Sequence, residues 1–318
     1  MVITMNVELL GTAGARGRPE PGCRCASCAA LRAAGGRFAP TRVLVDGVPV
    51  EDLPRRLVSG GYEATAPDGG AILVAAGPDA APEPGPGTEY AAVLLDLVGR
   101  PEHLGLLRRV GAVTAGTHVA AVHVDHRVRS SRELGRRLDL WLEPPSGPHR
   151  TLLLGGTRSG KSAEAELRLA AEPDVTYIAT GRTGSGDAEW TARVTAHRER
   201  RPAWWTTVET RDAAGVLRAA RGAVLLDGLG SWLTSVIDAA DAWDSPASVA
   251  PRLDELVDAW RATAARVVAV TEEVGLSLVP MTASGRAFTD LLGHLNQRVA
   301  AESEEAALIV AGRILDLP

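Results

Sequence analysis

Gly155-Gly156-Thr157-Arg158-Ser159-Gly160-Lys161-Ser162 follows directly on the apolar run Leu152-Leu153-Leu154 and opens a helical pattern that runs from Lys161 to Ala171. The eight residues satisfy G-x-x-x-x-G-K-[ST] in full, in the strand-loop-helix setting that gives this pattern its meaning. Its glycines let the backbone curl until several N–H groups face inward toward phosphate oxygens, and the helix that follows adds the positive end of its dipole. On this reading Gly155, Gly156, Thr157, Arg158, Ser159 and Gly160 cradle a nucleoside triphosphate. Lys161 bridges the β- and γ-phosphates, and the Ser162 hydroxyl ligates Mg2+. The bland alternative is a glycine-rich turn that happens to carry a lysine.

Outward from the loop, short apolar runs alternate with helical stretches, as in a parallel sheet covered on both faces. Candidate strands are Thr151–Leu154, Val175–Ala179, Ala223–Leu226, Arg266–Val270 and Ala307–Val310. Candidate helices are Lys161–Ala171, Asp187–Arg200, Arg252–Ala265 and Arg286–Ala301. This order predicts right-handed crossovers and a site at the carboxyl ends of the strands. Asp227, which closes Ala223-Val224-Leu225-Leu226-Asp227, is the candidate carboxylate for the metal beside the loop. Aspartate is equally suited to cap a helix beginning there, and both roles stay open.

Upstream, Pro78–Gly87 and Glu143-Pro144-Pro145-Ser146-Gly147-Pro148 are rich in Pro and Gly and are expected as loop or linker. The domain boundary is expected near residue 147, giving domains 1–147 and 148–318, which 318 residues can supply with separate cores. Hydrophobic residues at 45% and charged residues at 23% describe a globular chain. A net charge of −5 argues against a nucleic-acid backbone as the main partner. No stretch approaches the ~20 apolar residues of a membrane span, and no basic-then-apolar leader opens the chain, so a cytoplasmic protein is expected. All three cysteines fall within Cys23-Arg24-Cys25-Ala26-Ser27-Cys28, too close for a disulfide framework. Metal binding is the sharper reading and reduced thiols in a small core the plainer one.

A phosphate cradle alone does not separate GTPases, kinases and ATPases, and the guanine-reading N-K-x-D is missing from the chain. The remaining residues of the second half resemble the bifunctional adenosylcobinamide kinase / adenosylcobinamide-phosphate guanylyltransferase family. The likeness runs in order through the loop, Tyr177-Ile178-Ala179-Thr180, Asp187-Ala188-Glu189-Trp190, Ala192-Arg193-Val194, His197-Arg198-Glu199-Arg200-Arg201-Pro202 and Trp205-Thr206-Thr207-Val208-Glu209. It continues with Leu226-Asp227, Val270-Thr271-Glu272-Glu273-Val274-Gly275, Val279-Pro280, Arg286, Phe288, Asp290, Gly293 and Asn296-Gln297. The resemblance implies that the side-arm hydroxyl of adenosylcobinamide attacks the γ-phosphate of ATP or GTP. GTP then guanylylates a histidine, and the corrinoid phosphate takes GMP from it. His197 matches that histidine, and an imidazole can form the labile phosphoramidate that splits one transfer into two. Read without the family, His197 would be a solvated residue on an arginine-rich helix face. Three departures stand out: Gly181 to Gly186 stands where the family usually has a less glycine-rich link, and two single residues differ as well. Asp227 sits where the family often has glutamate, and Glu272 where it commonly has asparagine.

In the first half, Leu10-Gly11-Thr12-Ala13-Gly14, Pro19, the cysteine run and Val122-His123-Val124-Asp125-His126 resemble phosphodiesterases of the metallo-β-lactamase fold. The resemblance implies a structural Zn2+ held by Cys23, Cys25, Cys28 and His126, a closed Cys3His set. The hydrolase signature H-x-H-x-D-H is missing, so His118 and His123 read as core or surface residues. The expected fold is therefore α/β: a C-terminal P-loop NTPase-like parallel sheet flanked by helices, preceded by a reduced metallo-β-lactamase-like α/β domain serving packing, regulation or oligomerisation. The sequence is compatible with a homo-oligomer. Two other functions remain open: a P-loop kinase for another small alcohol, and a phosphodiesterase with an accessory nucleotide-sensing domain.

Overall fold

The computed structural model describes residues 5–77, 79–181, 195 and 198–318. His197, the segment 187–194 and most of the expected helix Asp187–Arg200 lie outside the described residues. The chain forms two compact units, Met1–Pro144 with Ala170–Pro173, and Pro145–Leu169 with Asp174–Pro318.

In the first unit, β1 (Val7–Gly11), β2 (Arg42–Val45) and β3 (Val48–Pro49) form a small antiparallel sheet. A second sheet takes β4 (Arg55–Val58), β5 (Gly61–Thr65), β6 (Ala71–Ala75), β7 (Ala92–Leu95) and β8 (His118–Ala121) in chain order. It is antiparallel from β4 to β6 and parallel from β6 to β8. Helices α1 (Ala26–Ala33), α2 (Glu102–Arg109) and α3 (Ser131–Leu142) complete it. A core of Val43, Val45, Ile72, Leu94, Ala120 and Val122 joins strands of both sheets.

The second unit is built on one sheet. Its strands are β9 (His149–Gly155), β10 (Val175–Ala179), β11 (Thr206–Glu209), β12 (Ala223–Asp227), β13 (Arg266–Glu272), β14 (Glu305–Val310) and β15 (Arg313–Leu317). Their spatial order is β11-β10-β12-β13-β9-β14-β15, parallel throughout except for β15. Side chains alternate along each strand and both faces are buried. Leu152, Ile178, Val224, Leu226, Val267 and Ala269 enter one core. Leu153, Tyr177, Leu225, Val268 and Val270 enter the other. That is why these strands read as unbroken apolar runs. Helix α4 (Lys161–Leu169) covers the second face through Ala165 and Leu169. The first face is covered by α5 (Ala213–Ala219), α6 (Leu229–Ala239), α7 (Ala250–Ala262) and α8 (Ala283–Ala301), with Trp232 and Trp260 fully buried there.

The five expected strands form, each within two residues of its expected ends. The apolar pattern does not mark β11, whose Thr206-Thr207-Val208-Glu209 is largely polar at a sheet edge. Nor does it mark β15, which turns back on β14 through Ala311 and Gly312, both at positive φ (49° and 67°). Two consecutive left-handed residues are the geometry of the tight hairpin turn that matches strand twist.

Candidate functional site

The phosphate-binding sequence lies where a doubly covered parallel sheet puts its ligands, at the carboxyl end of β9 and leading into α4. Gly160 takes φ of +100° and a Cβ there would sit 3.2 Å from the Cα of Gly312, so glycine is needed for both conformation and space. The loop is held at three carbonyls. Ser159 N–H donates to Gly156 O (3.2 Å), Gly312 N–H to Ser159 O (2.7 Å) and Glu273 N–H to Gly155 O (3.3 Å). Lys161 Nζ donates to Gly156 O at 3.1 Å and lies 3.7 Å from Glu272 Oε1.

Asp227 is the last residue of β12, and its carboxylate faces the loop. Ser162 Oγ donates to Asp227 Oδ1 at 3.3 Å, which joins two hard oxygen donors from elements 65 residues apart. The residues present therefore fit a magnesium ion in the chemistry of their donors, one hydroxyl and one carboxylate oxygen. The N-cap of α6 is Gly228, at φ of +99°, and its side chain offers no cap. Asp227 thus keeps its carboxylate for the loop.

Tyr177, on β10 beside β12, donates its hydroxyl to Asp227 Oδ2. Burial, then the Asp227 charge, pushes the phenol well above its ordinary value, so it stays a donor. The Arg201 guanidinium stacks 3.6 Å from the centroid of the same ring. Arg200 makes a two-pronged ion pair with Glu166 on α4 at 3.0 and 3.1 Å. Arg198 pairs with Glu209 at 3.7 Å. The arginines that follow His197 in sequence are thus tied to the strands and the helix around the loop. In the sequence Tyr177 reads only as a strand residue; its signal is a phenol inside a doubly buried strand, where the hydroxyl needs a partner. Glu272, by contrast, stood out only as a departure from the family pattern.

In the first unit, Cys23, Cys25, Cys28 and His126 converge. Their ligand atoms all lie within 4.8 Å of one another. Cys25 caps α1 by accepting from the Cys28 N–H at 3.4 Å, and Cys23 Sγ lies 3.6 Å from His126 Nδ1. The Cys28 N–H pulls the Cys25 thiol below its ordinary value, whereas burial pushes Cys28 up. Arg32 Nη2 donates to the carbonyls of Glu20 (2.8 Å) and Cys23 (2.7 Å), bracing the turn that carries the first thiol. Three sulfurs and one imidazole at this separation fit a tetrahedral zinc ion, whose bonds of about 2.0–2.3 Å would draw them slightly together. His118 is exposed at the start of β8, and His123 has positive φ of 58° with its N–H bonded to Thr41 Oγ1. Neither is among the four.

A glycine-rich strand-to-helix turn, its lysine, and a strand-end carboxylate bonded to the helix serine define the second unit as a P-loop nucleotide-binding fold. A family model described as cobinamide kinase / cobinamide phosphate guanyltransferase matches residues 151–317, more than half of the chain, and the chain belongs to this family. It is 36% identical over 174 residues to the bifunctional adenosylcobalamin biosynthesis protein CobU of Salmonella typhimurium, a match covering 51% of this chain and 95% of that protein. It is 39% identical over 169 residues to CobP of Pseudomonas aeruginosa, covering 51% and 94%. With CobU of Escherichia coli it shares 35% over 174 residues, covering 51% and 95%. The Zn(2+)-bound PqqB of Methylobacterium extorquens aligns over 98% of this chain and 99% of that one at 13% identity and a TM-score of 0.13, too low to bear on fold or function.

Proposed function

We propose that the second unit carries out both reactions of its family in cobalamin biosynthesis. It phosphorylates adenosylcobinamide with ATP or GTP, then moves GMP from GTP through His197 onto the corrinoid phosphate to give adenosylcobinamide-GDP. The observation that carries this reading is the joining of Ser162 to Asp227 at the mouth of the cradle, in a chain that belongs to the kinase and guanyltransferase family. Backbone N–H groups of Gly155–Gly160 and the first turn of α4 orient the phosphates. Lys161 leaves Gly156 O to meet the β- and γ-phosphate oxygens. Ser162 and Asp227 would hold Mg2+, which when bound would supply positive charge against the charge that develops on transfer. Tyr177 keeps the Asp227 carboxylate in place by its hydroxyl.

In guanylyl transfer, a neutral imidazole nitrogen of His197 attacks the α-phosphorus, pyrophosphate leaves, and a phosphoramidate remains. The corrinoid phosphate then displaces the histidine. Arg198, Arg200 and Arg201 bring positive charge to the segment just after that histidine. Incubation with labelled GTP should leave acid-labile, base-stable label on the chain. His197→Ala should abolish this label and GMP transfer while kinase activity persists, and equal loss of both would refute the assignment.

For the first unit we propose a structural Zn2+ on Cys23, Cys25, Cys28 and His126 in a shortened, non-hydrolytic relative of the metallo-β-lactamase fold. The support is the Cys3His donor set and its convergence. A cytoplasmic location fits the reduced thiols and the absence, among the described residues, of any helix long and apolar enough to cross a membrane.

A further inference from the structure

Glu272 occupies a costly position. It ends β13, the strand lying between β9 with its phosphate loop and β12 with Asp227, and it pairs in register with Gly155. Its Oε1 is 3.7 Å from Lys161 Nζ, the cation that meets the γ-phosphate end of a bound triphosphate. Its Oε2 is buried and has no hydrogen-bond partner among the described residues. The side chain as a whole is 37% exposed, so the carboxyl group stands at the mouth of the loop with one oxygen turned inward and unpaired. The fold nonetheless holds it firmly. Asn296 of α8 donates to the Glu272 carbonyl at 3.0 Å and accepts from Thr271 Oγ1 at 2.7 Å, fixing the strand end. On the other side, α6 presents Gly230, where any Cβ would stand 2.2 Å from Glu272 Oε2. Space is thus kept for this carboxylate beside Lys161.

We infer that Glu272 is the general base of the phosphorylation step, an inference that rests on the kinase reading above. The carboxylate accepts the proton of the corrinoid's side-arm hydroxyl as that oxygen forms its bond to the γ-phosphorus. The bond from the γ-phosphorus to the β,γ-bridging oxygen breaks, and its electron pair leaves with the nucleoside diphosphate. The protonated carboxyl then returns its proton to solvent. Only this step needs such a base. In guanylyl transfer the attacking atoms are an imidazole nitrogen with a free lone pair and a phosphate oxyanion, neither of which must lose a proton.

The test separates the two half-reactions in one full-length protein. In Glu272→Gln, phosphorylation of adenosylcobinamide by ATP should fall about 10²-fold or more. GMP incorporation from GTP should fall no more than a few-fold, and nucleotide should bind as tightly as before or more tightly. A second variant, Gly230→Ala, displaces the carboxylate without removing it and should show the same kinase-selective loss. Phosphorylation by Glu272→Gln at near wild-type speed, with tighter nucleotide binding, would make Glu272 a counter-ion of Lys161 and overturn the inference. So would parallel loss of both activities in the two variants. A wild-type chain unable to phosphorylate adenosylcobinamide at all would overturn the kinase reading and this inference with it, a result distinct from an active variant beside an active wild type.

Discussion

The two candidate sites are assembled in opposite ways. The phosphate cradle is eight consecutive residues, joined from farther along the chain by the Asp227 carboxylate and by the backbone amides of Glu273 and Gly312. The cysteine cluster also begins as a local run, but its fourth member, His126, arrives from 103 residues beyond Cys23. A site written in one turn of backbone depends on local conformation and survives modest changes elsewhere. A site closed by a distant residue reports on whether the intervening sheet has formed, because until then three thiols face no imidazole.

Lys161→Ala gives the largest expected loss: both phosphorylation and guanylylation should drop about 10²–10³-fold, as when a charged or hydrogen-bonding contact to a transition-state oxyanion is removed. Retention of either activity at full speed would break the idea that one cradle serves both. Cys28→Ser comes next and should leave the second unit's activities standing. The wild-type chain should carry one zinc in native mass spectra and the variant none. The first unit should lose about 2 kcal/mol or more, roughly 5 °C or more in melting temperature. Equal zinc content in the two proteins would leave the cluster as reduced thiols.

Tyr177→Phe sharpens the comparison by asking how far the local site leans on its neighbours. Removing the hydroxyl that orients Asp227 should weaken the apparent Mg2+ affinity in the kinase assay by about 10-fold, without loss of nucleotide binding in metal-free buffer. The smallest effect belongs to Glu304, which precedes β14 and accepts from the Arg150 backbone N–H of β9 at 2.6 Å and from its guanidinium. Arg150 draws this carboxyl down to about 2 in the folded protein, below its ordinary value. The pair therefore stabilises the fold above the ordinary carboxylate range, and that contribution disappears as pH falls toward 2. Glu304→Gln should flatten this part of the acid-unfolding curve and lower stability at neutral pH by the same small amount, kept small because the side chain is partly exposed.

The legible part of the fold was whatever lies between two buried faces. Leu152-Leu153-Leu154 and Ala223-Val224-Leu225-Leu226 declare themselves because both neighbours of each side chain are apolar. Thr206–Glu209 does not, since an edge strand can be polar and still pair, and Arg313–Leu317 is ordered by its hairpin turn rather than by burial. At the site, the loop and Asp227 could be read from pattern alone. Tyr177 and Glu272 could not be assigned roles, because what matters about them is which strands stand side by side: β10 beside β12, and β13 between β12 and β9. Alternation marks a strand but not its neighbours. Helix α6 was hinted at only as a stretch following Asp227, and its first residue after the cap, Leu229, is buried rather than polar, which hides the usual start signal.

The turn at Ala311-Gly312 closes an outer hairpin, yet its glycine amide reaches in to grip the Ser159 carbonyl, and Gly160 packs against its backbone. A stitch at the rim of the sheet thereby shares in shaping the triphosphate pocket. Swapping Gly312 for a β-branched residue, which resists the left-handed backbone, would surface first as poorer nucleotide capture and only afterwards as a less stable protein.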